Sequence, residues 1–267
     1  MKLFFLLFLN ISLLLSSFLN AQVKDNNYNC HFIAHRGGVV DSVTPENSKE
    51  ALLKAIENNY WMVEVDMRLT KDGVLITRHD KDFKRNFNTN EDVIDMTWEE
   101  ISLLESEMGT SIQKLEDVFR LCQEADMNVM LDNKIKGFDK TVCKKIVSLL
   151  DKYNLRENSL MIGTSATTEF FTGKVRLSCT RDQLEANMKR SDYNPNNYYY
   201  FGNPSPQDAK WAKQNGIMIV GVINEWAIPN ENEDEIVKKM VHELKTLNVN
   251  YVQLDSKYDV YFKDIIN

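Results

Sequence analysis

WMVEVDMRLTKDGVLITRHD, residues 61–80, holds two strands joined by a turn. Met62-Val63-Glu64-Val65-Asp66-Met67 reads as a buried strand. Side chains alternate along a strand, so Glu64 and Asp66 point to the same side, one repeat apart. Two acids on one face among Val and Met are costly unless something neutralises them. Lys71-Asp72-Gly73 makes the turn, and Val74-Leu75-Ile76-Thr77 delivers Arg78, His79 and Asp80 at the end of the second strand. A carboxylate pair and a histidine therefore arrive from neighbouring strands. A metal site with an acid/base group beside it is built in this way.

Upstream, Cys30-His31-Phe32-Ile33-Ala34 is a short buried strand that ends at His35-Arg36-Gly37-Gly38, where the glycines permit a tight turn or close approach to a ligand. Thr44-Pro45 is expected to open a helix, with Thr44 as N-cap and Ala51, Leu52, Ala55 and Ile56 on its buried face. Glu46 and Asn47 then belong to that helix start. Strand, helix, strand at this spacing is a parallel crossover unit.

Downstream, Thr97-Trp98-Glu99-Glu100 has capping-box form. Amphipathic helices follow at 115–125 and 138–153, with a strand at 128–134 between them that carries Asp132 and Lys134 two apart. Further strands are expected at 159–163, 174–178, 217–223 and 250–255, alternating with helices at 181–188, 207–214 and 234–247. Tyr198-Tyr199-Tyr200-Phe201 fits either a strand or an aromatic wall. Eight or nine strands alternating with helices predict the α/β class and one (β/α)8 TIM barrel, with 198–201 as decoration. An open doubly wound sheet has the same alternation. Polar residues at the ends of at least three strands favour the barrel.

The 267 residues suit one such domain. Lys2, the apolar run to Phe18 and the small Ala21 have the form of a secretory signal over residues 1–21, leaving 22–267 as the folded domain, exported to a periplasmic or extracellular place. An uncleaved anchor is the alternative, disfavoured by the short run that Asn10 interrupts. Stable membrane insertion is not expected once the signal is removed. The formal net charge of −7 gives no electrostatic footprint for nucleic acid or an anionic membrane. Cys30, Cys122, Cys143 and Cys179 permit two disulfides in an exported chain, or are simply buried thiols. None has zinc-site spacing.

At the carboxyl ends of barrel strands, His35, Arg36, Glu64, Asp66, His79, Asp132 and Lys134 would converge. Three carboxylates without cysteine make a hard oxygen site suited to one divalent cation, Ca²⁺ or Mg²⁺. Two histidines can share proton transfer, while Arg36 and Lys134 suit a phosphate. Together they fit the hydrolysis of a small-molecule phosphodiester.

The ordered set His35-Arg36-Gly37, Pro45-Glu46-Asn47, Glu64-x-Asp66, Asp72-Gly73, His79-Asp80, Asp95-x-Thr97, Leu115-Glu116-Asp117-Val118 and Asp132-x-Lys134 resembles the glycerophosphodiester phosphodiesterase family. The resemblance is dense from Cys30 to Lys134 and weak afterwards. It implies a TIM barrel that hydrolyses glycerophosphodiesters to glycerol phosphate and an alcohol. It implies His35 and His79 as the acid/base pair and Glu64, Asp66 and Asp132 around the cation, with Arg36 on phosphate and Lys134 beside metal or phosphate. It also implies a route in which the substrate's own glycerol hydroxyl attacks first and water opens the cyclic phosphate.

Three places depart from that family's pattern. Asp132 stands where a glutamate is usual, Thr164-Ser165-Ala166 where Ser-Phe is frequent, and Gly221-Val222-Ile223-Asn224 where a Trp-led strand is frequent. The last two are expected to line the pocket, so a phospholipid or sugar phosphodiester is an alternative substrate, and a non-catalytic metal-binding relative is another outcome. Trp211, Trp226 and 198–201 are expected in the core, with replacement of the missing pocket aromatic as the alternative.

Overall fold

The computed structural model describes residues 28–262. The expected signal at 1–21 lies outside them. Nine strands are described: β1 His31–Ala34, β2 Met62–Leu69, β3 Leu75–Thr77, β4 Asn128–Asn133, β5 Leu160–Ile162, β6 Arg176–Cys179, β7 Tyr198–Phe201, β8 Met218–Ile223 and β9 Tyr251–Leu254. Eight of them, all but β3, run parallel, and β1 pairs with both β9 and β2, so the sheet closes into a (β/α)8 barrel.

The expectation placed the extra strand at 198–201, but Tyr198–Phe201 is a stave of the barrel between β6 and β8. The supernumerary strand is β3, antiparallel to the upper half of β2 with Met67 opposite Thr77. A short turn can only join antiparallel neighbours, and Lys71-Asp72-Gly73 is too short for a parallel crossover. Tyr198 and Tyr199 are buried, as an aromatic core would have them. Trp226, expected in the core, is 71% exposed.

Inward and outward faces follow the two-residue period. Ile33, Met62, Met130, Leu160, Tyr199 and Val220 fill the barrel interior. Val63, Val65, Val129 and Leu131 belong to the layer under the helices. There the helix Leu115–Glu124 buries Leu115, Val118, Phe119 and Cys122 at helical spacing, and Lys140–Lys152 buries Cys143, Ile146, Leu149 and Leu150. Each large side chain buried this way contributes about 1.5–3 kcal/mol. Asp139 caps the second of these helices by accepting from the Thr141 and Val142 N–H groups. The capping box at Thr97 and Glu100 forms as expected.

The helix after β1 starts later than expected. It spans Lys49–Glu57 with Ser48 as N-cap, while Thr44 pairs with Asp41 in an isolated bridge. Residues 35–48 therefore form a loop over the mouth of the barrel. It lies close to that helix: Gly38 has φ 142°, and a Cβ there would stand 2.1 Å from the Ala51 carbonyl oxygen. Gly38→Ala is expected to cost about 2–4 kcal/mol, read from a denaturant midpoint, since no flexible side chain can yield.

No disulfide joins the four cysteines, which are all free thiols. Burial pushes the Cys122 thiol up to about 12, and an apolar helix face explains its presence without a bridge.

Residues 74–112 build a small apolar cluster of their own outside the barrel, centred on Ile76, Phe83, Val93, Ile101 and Ile112. Arg78, 3% exposed, ties it to the mouth. Its guanidinium lies 5.6 and 5.4 Å from the Phe83 and Phe87 ring centroids and donates to the Asp82 and Arg85 carbonyls at 3.1 and 2.8 Å.

Candidate active site

At the carboxyl end of the barrel, β1, β2, the end of β3, β4, β8 and β9 surround a cavity of about 340 Å³. His35, Arg36, Asp66, His79, Asp132 and Lys134 line it together. Glu64 lies below, 1% exposed. One carboxylate oxygen from each of Glu64, Asp66 and Asp132 lies within 4.8 Å of the others. The register accounts for this. Glu64 and Asp66 share the inward face of β2, and Asp66 is the direct partner of Asp132 on β4. The shorter Asp132 side chain still reaches the cluster.

The cluster is held from outside. The Arg36 N–H donates to Glu64 Oε2 at 2.7 Å, and Asn47 Nδ2 donates to Asp66 Oδ2 at 3.0 Å. Lys134 Nζ lies 2.6 Å from Asp132 Oδ2 and 3.3 Å from Asp66 Oδ1. Burial first, then the Asp66 and Asp132 charges, push Glu64 well above the ordinary glutamate value. Burial also raises Asp132, although Lys134 opposes it. For Lys134 burial works against the charge, but Asp132, Asp66 and Glu64 outweigh it and raise the ammonium. With all three ionised, three carboxylates against one ammonium would leave two negative charges in excess in a sheltered place. All the donors are hard oxygens, so the residues fit one divalent cation.

Both histidines have a carboxylate behind them. His35 Nδ1 is 2.6 Å from Asp255 Oδ1, and His79 Nδ1 is 2.9 Å from Asp80 Oδ1. Burial alone would raise Asp255, but the His35 bond and charge, the Glu225 N–H and Arg36 hold it below its usual value. Burial opposes ionisation of Asp80 too, but Arg85, His79 and Arg78 keep it strongly depressed. Each ionised carboxylate can only accept. Each Nδ1 therefore donates, and in the neutral imidazole Nε2 is left as the acceptor nitrogen.

Arg36 sits in the left-handed region at φ 55°. Its guanidinium donates to Glu46 at 2.8 Å, and Glu46 also pairs with Arg85. Asn47, likewise left-handed, accepts from the Asp66 N–H at 3.3 Å through Oδ1. Its carbonyl accepts from Thr77 Oγ1 and Gln113 Nε2. Glu46 and Asn47 thus belong to the site's support and not to a helix start. Both fall in loop 35–48, where a Thr-Pro pair imitates an N-cap signal.

The other wall of the cavity is apolar: Ile162, Phe201, Val222 and Trp226. From β5 it is Ile162 that lines the cavity, not Thr164-Ser165-Ala166, and from β8 it is Val222 and Asn224, not Gly221. Asn224 donates to Gln253 Oε1 at 3.2 Å, while its own Oδ1 is buried without a partner among the described residues. Another cavity, of about 510 Å³, opens at the opposite face near Asp151, Arg156 and Arg176 and holds none of these residues.

Sequence reasoning missed Asp255 and gave Glu46 to a helix start, whereas Asn224 lines the cavity as expected. For Asp255 a signal was present: Tyr251, Gln253 and Asp255 keep the same two-residue period that grouped Glu64 with Asp66.

Three hard carboxylates beside two carboxylate-backed imidazoles, at the carboxyl mouth of a parallel barrel, define a TIM-barrel protein whose acidic cluster could hold a metal ion. The model of the "Glycerophosphoryl diester phosphodiesterase family" matches residues 35–161, a little under half of the chain, and that stretch carries this family's domain. A glycerophosphodiester phosphodiesterase of Caldanaerobacter subterraneus subsp. tengcongensis is 31% identical over 141 residues, covering 48% of this chain and 56% of that protein. The human lysophospholipase D GDPD1 is 27% identical over 157 residues, covering 54% and 48%. The chain spans about half the length of the curated relatives it matches. A glycerophosphoryl diester phosphodiesterase structure from Parabacteroides distasonis superposes with a TM-score of 0.70 at 19% identity, over 91% of this chain and 89% of that one. An Oleispira antarctica phosphodiesterase in complex with the product sn-glycerol-3-phosphate gives 0.69 at 16%, over 91% and 98%. At these identities the structures speak for the fold.

Proposed function

We propose that this protein is a phosphoric diester hydrolase that cleaves glycerophosphodiesters to glycerol phosphate and an alcohol. The observation that carries this is the meeting of the Glu64, Asp66 and Asp132 carboxylates with His35, His79, Arg36 and Lys134 around one cavity. Glu64, Asp66 and Asp132 would hold one Ca²⁺ or Mg²⁺. When bound, such an ion supplies positive charge to the non-bridging phosphate oxygens. Arg36 and Lys134 add cationic donors to the same oxygens. The Nε2 atoms of His35 and His79 move protons at the attacking and leaving oxygens, each imidazole steadied from behind by Asp255 or Asp80. The unpaired Asn224 Oδ1 is an acceptor for a substrate hydroxyl.

The test is release of glycerol 3-phosphate from a water-soluble diester such as glycerophosphoglycerol, with Ca²⁺, with Mg²⁺ and with chelator. Release with a divalent cation that stops in EDTA and returns on adding back the ion is expected. Undiminished turnover in chelator would sink the proposal.

The exposed Trp226, with Ile162, Phe201 and Val222 behind it, favours a second substrate, a lysophospholipid whose chain lies on that wall. Faster turnover of lysophospholipids than of soluble diesters would select it. The signal form of residues 1–21 supports export, which a mature amino terminus near Gln22 would bear out.

A further inference from the structure

The central cavity is flanked by two unlike clefts. On the His35 side lies a cleft of about 340 Å³ lined by Val40, Glu225, Trp226, Asp255 and Lys257, with mixed charge. On the His79 side lies an open groove of about 750 Å³. Arg68, Lys81, Lys84, Arg85, Lys134 and Lys136 all line this groove, against Asp80 and Asp82 alone. Six cations against two carboxylates is a strong local reversal in a chain of net charge −7.

Several of these cations already have partners. Lys134 is engaged by Asp132 and Asp66, Arg85 by Glu46 and Asp80, and Lys81 by Asp92. Arg68 donates to the Arg78 and His79 carbonyls, which leaves its charge without a paired carboxylate among the described residues. Lys84 and Lys136 make no ion pair among them and are exposed on the groove. The groove shares His79 and Lys134 with the central cavity. A diester seated on the carboxylate cluster therefore has one ester arm passing His79 into positive charge.

We propose that this groove is a second anion subsite, and that the preferred substrate is a diester carrying a further phosphate on the arm that passes His79. The substrate half of this rests on the hydrolase proposal above. The subsite itself stands on the groove alone. A cationic arm would be disfavoured there, and a neutral one would gain nothing.

Two measurements test it. Kinetics on glycerophosphoglycerol and on its phosphorylated counterpart should give a KM about tenfold lower for the latter, a gap that narrows with salt. The double variant Lys84→Glu/Lys136→Glu should erase the gap while leaving turnover of the neutral diester unchanged. Calorimetric titration with butane-1,4-diol bisphosphate and with butyl phosphate reads the subsite without turnover. Tighter binding of the bisphosphate, lost in the double variant, is expected. Equal affinities, or a preference that survives the charge reversal, would overturn the proposal. A bisphosphate preference with no turnover of either diester would keep the subsite and remove the hydrolase instead.

Discussion

Glu64→Gln should raise the melting temperature of cation-free protein and lower turnover by about 10²–10³-fold. Glu64 is 1% exposed and shares its surroundings with two other carboxylates. Glutamine keeps an oxygen to accept the Arg36 N–H and places an amide donor toward Asp66 and Asp132. The gain is about 1–3 kcal/mol, because a buried repulsion becomes hydrogen bonding. The same residue sets a pH dependence. Its folded value lies well above the ordinary 4.5, so cation-free folded protein binds more protons than unfolded protein. Stability is therefore lost as pH rises from about that ordinary value through the raised one. Thermal melts in chelator should show this slope. Added Ca²⁺ or Mg²⁺ should flatten it, and Glu64→Gln should abolish Glu64's share. A variant that is destabilised at neutral pH in chelator would mean that the carboxylates do not repel.

Asp255→Asn should lower kcat by about 10²-fold with little change in KM or in cation affinity. Asp255 has two tasks. Oδ1 accepts from His35 Nδ1 at 2.6 Å, and Oδ2 accepts from the Glu225 N–H at 2.6 Å. Asparagine has one acceptor oxygen for these two donors. If the oxygen stays with Glu225, the amide faces His35 and turns the imidazole to the wrong tautomer. If it stays with His35, the loop that carries Trp226 loses its anchor. Asp255 lies outside the Glu64, Asp66 and Asp132 cluster, so cation binding reports whether the variant remains folded around the site. Unchanged kcat would remove Asp255 as a positioning residue.

Much of this was legible because barrel strands leave a two-residue signature. Glu64 with Asp66, and Asp132 with Lys134, could be paired along the chain, and register then brought them across strands. What escaped was whatever depends on contacts between distant segments. The pairing of His35 with Asp255 joins residues 220 positions apart. Tyr198–Phe201 resisted assignment because four aromatics serve equally on a strand or a wall, and only β6 and β8 on either side decide it. Trp226 was expected in the core as a large aromatic, but it sits in a 3₁₀ turn beyond the end of β8. The cysteines were ambiguous because an even count carries no geometry.

The antiparallel strand hung on the outer side of β2 has an evolutionary corollary. His79, Asp80 and the lysines beside them ride on an appendage with a private core, whereas the Glu64, Asp66 and Asp132 carboxylates are built into the staves. Insertions or exchanges in that appendage can retune which alcohol is accepted while the eight-stave frame goes on folding undisturbed.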